Sequence, residues 1–345
     1  MAQENEIPDV LFLIGKLVDA ASASLKLPPR IDAAGRDPFP EDDLAKFVLA
    51  QQYDGRSNRV AVGLLKTWSK EMGIVQNRQH LHYKTLERAY DEADVIALMN
   101  EVFFLTQEPV KDLEHNFAPD GTCYPTTIKR NWESSKDEIL RIAHKQQQSG
   151  ESPKERKKHE FEKSVLVVGT TFKIIAAFAR TATPTSHESP YLKPLLDQVA
   201  ELYAYVAKIC MDAEYLSRDN CKFVKEEIKA VPRIFPKRGI TLNSKGSDAW
   251  KSMLLEFVND TQKWLEEYHS RSIVETVNST MKRLFPNPLR KKVVQRKVTE
   301  LFARIVVYNI RQLVYLCYTK GIDLGDAISP KPSTPTLGDW MDPQQ

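Results

Sequence analysis

The chain has 345 residues, with 49 Lys and Arg against 46 Asp and Glu for a net charge of +3, and at about 150 residues per domain its length suits two domains. Hydrophobic residues make up 42% and glycines number only 13, which excludes collagen-like, mucin-like and low-complexity classes and favours a helix-rich globular protein. The apolar run 10–14 is far below the roughly 18 residues of a membrane span, Glu4, Glu6 and Asp9 stand where a signal peptide is basic, and four cysteines form no Cys-x-x-Cys pair, so a cytoplasmic chain without membrane, structural zinc or disulfide is expected.

Val10, Leu11, Ile14, Leu17 and Val18 recur at helical spacing and predict a first amphipathic helix that stops near Pro28 and Pro29. After a Pro-rich loop to Pro40, Asp42 and Asp43 open a second helix to about Tyr53. Ser57 caps a third, with the stripe Val60, Val62, Leu64, Leu65 and Trp68 and a stop at Gly73. Residues 83–90 form a short helix carrying Lys84 and Arg88. Helix, turn and short basic helix are compatible with a helix-turn-helix, so residues 1–110 read as an all-α, DNA-binding N-terminal domain in which Lys84 and Arg88 reach DNA. Such three-helix packing also serves as plain scaffold. Residues 91–105 continue as a linking helix.

Beyond residue 115 the pattern changes. Residues 164–169 (SVLVVG) and 174–179 (IIAAFA) predict an antiparallel hairpin, 191–205 a helix, 208–211 (KICM) a short buried strand, 217–229 a helix with Ser217 as its cap, and 233–235 a last strand. Residues 247–321 are again helical except at Pro286–Pro288. The Pro-rich tail 326–345 is expected to be disordered. Residues 111–325 are thus an α/β domain, a mixed sheet with flanking helices, with catalytic groups expected at strand ends.

Three acids stand where such a site needs them. Asp120 lies in FAPDGT (117–122), although 113–118 is a poor strand sequence and Pro119 removes a ladder donor directly before it. Asp212 follows the KICM strand. Glu275 sits in a helix among Ile273, Val274 and Val277. Convergent carboxylates are the hard oxygen ligands of Mg²⁺ or Mn²⁺, and two such ions about 3.5 to 4 Å apart can clamp both oxygens of an in-line phosphoryl displacement. Singly, Asp120 reads equally as a turn former, Asp212 as a helix-initiating residue and Glu275 as a salt-bridge partner of Arg271 one turn away. Tyr268, Arg271, Glu275 and Lys282, at offsets of 3, 7 and 14, share one helical face suited to handling phosphate.

The spacing Y-x2-R-x3-E-x6-K over 268–282, followed by 289–312 with YNI at 308–310, resembles the C-terminal part of insertion-sequence transposases of the DDE class. FAPDGT resembles their first-aspartate segment, 156–178 their basic stretch and paired strands, and MDAEYLS (211–217) their second-aspartate block, so the resemblance covers roughly residues 80 to 320. SHES at 186–189 departs from it, since relatives usually place an aspartate before the serine. The resemblance implies a ribonuclease-H-like catalytic domain in which Asp120, Asp212 and Glu275 hold two Mg²⁺ or Mn²⁺ ions. It implies hydrolysis at the ends of a DNA element, transfer of the freed 3′-hydroxyls to target DNA, phosphate contacts from Arg271 and Lys282, and Tyr268 packed on an end base.

Local charge points to DNA although the total does not. Residues 282–304 hold eight basic residues (Lys282, Arg283, Arg290, Lys291, Lys292, Arg296, Lys297, Arg304) against the single acid Glu300, and Arg156, Lys157 and Lys158 form a second cluster. Together with the resemblance, which implies terminal inverted repeats and target as the DNA and at least a homodimer upon it, the expectation is a double-stranded DNA partner in a prokaryotic nucleoid, with no organic cofactor. An inactive transposase-derived DNA-binding protein and a metal-dependent nuclease without strand transfer are the alternatives.

Overall fold

Five strands form a single sheet in the order β3-β2-β1-β4-β5, in a computed structural model that describes residues 6–27, 38–74, 81–126, 161–242 and 247–324. The tail 326–345 and the Arg156–Lys158 cluster lie outside the described residues. The strands are β1 (Asn116–Pro125), β2 (Phe161–Gly169), β3 (Ile175–Arg180), β4 (Lys208–Met211) and β5 (Val231–Ile234). β1, β2 and β3 are antiparallel neighbours, whereas β4 runs parallel to β1 and β5 parallel to β4. Three meandering strands followed by two parallel ones, with helices on both faces, form a ribonuclease-H-like mixed sheet, as the sequence predicts.

The central strand is the one the sequence hides. β1 runs through Pro119, Asp120 and Gly121, each paired with β2 (Pro119 with Val167, Asp120 with Leu166, Gly121 with Val165). The amide of Thr170 donates to the carbonyl of Asn116 on the β2 side, and that of Ala207 to the carbonyl of His115 on the β4 side. Backbone groups alternate between the two sides, so Pro119 faces β4, beyond the last β1 residue paired there, Phe117. Its missing N–H therefore costs no ladder bond. Pro232 is tolerated for the related reason that β5 is an edge strand.

One face of the sheet carries Ala118, Tyr124, Leu166, Val168 and Ile175, in a core shared with the helices α1 (Glu6–Leu25), α2 (Glu41–Asp54), α3 (Asn58–Trp68), α4 (Tyr83–Ala89) and α5 (Ala93–Leu105). On the other face Phe117, Val165, Val167, Ile209 and Met211 pack against α6 (Leu192–Leu202), α7 (Arg218–Lys222) and α8 (Asp248–Asn259). Serine caps set two of these helices: Ser217 accepts from the amide of Asn220 at 3.0 Å and Ser247 from that of Trp250 at 3.2 Å.

Past α8 the chain forms α9 (Thr261–Tyr268), a 3-10 turn (His269–Arg271), α10 (Ser272–Leu284) and the 27-residue α11 (Val294–Lys320). Both α10 and α11 join the first core, through Val274, Val277 and Met281 and through residues from Leu301 to Cys317. Buried Asn309 of α11 receives the amide of Ile175 and donates to its carbonyl, each at 2.9 Å, fixing the helix to β3. Because α1, α2 and α5 all pack on α11, the core is continuous across residue 110. Among the described residues no helix is long and apolar enough to cross a membrane.

Candidate active site

Each acid is delivered by a different element. Asp120 projects from the middle of β1 toward α10. Asp212 follows β4 directly and precedes a 3-10 turn (Ala213–Tyr215), whose Tyr215 amide donates to its carbonyl at 3.0 Å. Glu275 lies in the first turn of α10, where the positive end of the helix favours a carboxylate. The sequence reading places it mid-helix in apolar company; instead the helix begins at Ser272 and the Glu275 side chain is 56% exposed. The shared face expected for Tyr268 to Lys282 is interrupted by the 3-10 turn.

All three carboxylates converge on one guanidinium. Arg271 Nη1 donates to Glu275 Oε1 at 2.5 Å, Nη2 donates to Asp212 Oδ2 at 3.0 Å, and Nη2 stands 3.5 Å from Asp120 Oδ1. The other Asp120 oxygen accepts from Asn278 Nδ2 at 2.8 Å, one turn beyond Glu275 on α10. Asn278 lies seven residues after Arg271, a helical spacing that could have marked it in the sequence. Arg271 Nε and Asn278 Oδ1 are buried without a hydrogen-bond partner.

Burial first, and like charge second, mark Asp120. Burial, with Glu188 and Glu275 nearby, pushes its carboxyl up to about 6, against the opposing pull of Arg271 and of the Asn278 hydrogen bond. Burial likewise pushes the Tyr268 hydroxyl up to about 12. Three carboxylates around one cation leave an excess of negative charge, and oxygen donors of this kind suit a hard divalent ion. Among the described residues no three acidic, His or Cys side chains stand in a ready metal cluster, for the guanidinium occupies the space between the carboxylates.

The basic residues divide into two sets. Lys282, Arg283 and Lys292 are exposed, Arg290 is half-buried, and Lys84 and Arg88 project from α4 into solvent. Lys291 does not fit the expectation of a DNA-facing cation: its side chain is only 5% exposed, 2.7 Å from Glu87 and 3.9 Å above the ring of Tyr90. Arg296 pairs with Glu87 and Asp91, Lys297 with Glu162 and Arg304 with Glu300. Half of the basic run therefore serves to hold the fold together. Tyr268 stacks on Trp264, ring centroids 5.1 Å apart and planes 17° apart.

A family model described as a transposase DDE domain matches residues 125–310, more than half of the chain. The chain belongs to this transposase family. The match opens five residues past Asp120 and takes in Asp212, Arg271 and Glu275. The DDE chain is also similar to the probable transposase for insertion sequence element ISA1214 of Archaeoglobus fulgidus, at 24% identity over 264 residues that cover 76% of this chain and 72% of the relative. Membership of the DDE transposases makes this an enzyme of the nuclease and transposase kind. The family acts on DNA and generally uses divalent metal ions.

Proposed function

We propose that the protein binds the ends of a DNA element, cleaves phosphodiester bonds there and transfers the resulting 3′-hydroxyl ends to target DNA. The convergence of Asp120, Asp212 and Glu275 on Arg271, from three elements far apart in the sequence, is the observation that carries the reading. Similarity to an insertion-sequence transposase agrees with it.

Asp120, Asp212 and Glu275 would hold two Mg²⁺ or Mn²⁺ ions. Ions held there supply Lewis acidity, which lowers the pKa of an attacking water or 3′-hydroxyl and stabilises the leaving oxygen. The rest is the work of the chain itself. Asn278 fixes one oxygen of Asp120 and leaves the other on the side of the site that Arg271 occupies. Arg271 offsets part of the acids' charge in the free protein, and its fork of donors is suited to holding a phosphate oxygen pair once the acids have other partners. Lys282 lies on the same helix and adds a point charge. Tyr268, backed by Trp264, offers an aromatic face on which an end base can stack, an interaction worth about 1 to 3 kcal/mol.

DNA binding beyond the site falls to the exposed cations Lys282, Arg283 and Lys292, to half-buried Arg290, and to Lys84 and Arg88 on α4, with residues 1–110 as the end-recognising part. Joining two ends in one event calls for at least two copies on DNA. Asp212→Asn tests the reading: band shifts of end DNA should persist while cleavage in Mg²⁺ is lost, and cleavage at the wild-type rate would end the proposal. An assay with a precleaved 3′-hydroxyl end separates a transposase, which joins it to target, from a nuclease, which does not.

A further inference from the structure

Glu188 lies across the sheet from Asp120. Successive residues of a strand point to opposite faces, so Gly121 presents its Cα to the face away from Asp120. A Cβ at Gly121 would stand 1.8 Å from Glu188 Oε1 and 2.2 Å from its Cδ, so the carboxylate fills the place of a side chain on the residue next to Asp120. A residue without a side chain at 121 is what permits this close approach.

Two further contacts hold the carboxylate. Glu188 Oε1 is 3.0 Å from Lys163 Nζ of β2, and Lys163 Nζ also donates to the carbonyl of Ser186 at 3.0 Å. Glu188 Oε2 accepts from the hydroxyl of Tyr215 at 2.8 Å. Tyr215 is fully buried and stands at the end of the turn that Asp212 opens. The Glu188 amide approaches Glu214 Oε1 of the same turn at 3.4 Å. One buried carboxylate thus touches the strand of Asp120, the neighbouring strand and the turn of Asp212, with Lys163 as its cationic partner among the described residues. Its charge also contributes to holding the Asp120 carboxyl above its ordinary range.

We propose that Glu188 is a positioning residue for the two aspartates: it sets their separation through Gly121 and Tyr215, and its negative charge strengthens the hold of the site on a divalent cation. The inference rests on the reading of Asp120 and Asp212 as metal ligands. Substituting an outer partner of this kind typically weakens metal binding about 10- to 100-fold.

Mn²⁺ binding to the full-length protein without DNA, followed by the electron paramagnetic resonance of free Mn²⁺, tests it. Glu188→Gln keeps the volume against Gly121 and an acceptor for Tyr215 but removes the charge, and should weaken Mn²⁺ binding about tenfold while the thermal melt stays cooperative. Glu188→Asp, which restores the charge, should recover part of the affinity. Equal Mn²⁺ affinity in wild type and Glu188→Gln overturns the inference and leaves the metal site standing. Failure of the wild type itself to bind Mn²⁺ removes the metal reading and this inference with it. If Glu188→Gln does not fold, Tyr215→Phe decides the matter, because it cuts the link to the Asp212 turn and keeps the charge; unchanged affinity there is equally fatal.

Discussion

Replacing Asp120 by Asn should stabilise the metal-free protein while abolishing its chemistry. In the folded chain burial and two neighbouring carboxylates hold the Asp120 carboxyl near 6 rather than 3.8. At 1.36 kcal/mol per pKa unit, ionising it costs the fold about 3 kcal/mol. Asparagine removes that cost and still accepts from Asn278, but forfeits the 3.5 Å approach of Arg271, so a net gain of about 1 to 2 kcal/mol at neutral pH is expected. The sign follows from the order of the two pKa values. Below about 4 the carboxyl is protonated in both states and the variants should differ little. Between about 4 and 6 only the unfolded chain ionises and the wild type loses stability as pH rises; above 6 the deficit is constant. Urea unfolding at several pH values from 4.5 to 7.5 measures the gap directly. Saturating Mg²⁺ should narrow it by stabilising the wild type alone, by about 2.7 kcal/mol at a hundredfold excess over Kd. A variant less stable than wild type at pH 7, or a gap that does not move with pH, would refute the reasoning.

Other substitutions separate structural from DNA-facing cations. Lys291→Ala should lower stability to urea by about 1 to 3 kcal/mol, since it removes a buried charge-assisted hydrogen bond to Glu87 and leaves Arg296 as the remaining cation on that carboxylate, and should leave the salt dependence of DNA binding unchanged, whereas Lys292→Ala should leave stability alone and reduce the salt slope by about 1. Arg304→Ala leaves Glu300 buried with its charge uncompensated and should cost about 3 to 5 kcal/mol in the same urea measurement, a loss that Glu300→Gln in the same chain should partly recover.

The helices and the hairpin were legible because their apolar positions repeat at the right period and their ends carry caps: α1, α2, β2, β3, β4 and the Ser217 cap all stand close to where periodicity puts them. β1 was not, because strand propensity is a statement about packing on both neighbours and Pro119 looks disqualifying until its N side is known to face beyond the β4 pairing. Asp212 was legible from its place after a buried strand. The Arg271–Glu275 pair was legible as an ion pair one turn apart, yet nothing in the spacing shows that Arg271 also reaches both aspartates. Charge runs carry least information of all, for Lys291 and Lys292 are neighbours in sequence and opposite in environment. Glu188 was visible only as an exception to a motif, and its role depends on a glycine across the sheet.

The account stands on the three acids sharing a divalent cation, and iron-directed backbone cleavage addresses that most directly. With Fe²⁺ in place of Mg²⁺ and peroxide added, hydroxyl radicals should cut the chain near Asp120, near Asp212 and near Glu275 together, and excess Mg²⁺ should suppress all three sets of fragments in parallel. Cuts confined to one of these segments, or gathered elsewhere in the chain, would contradict it.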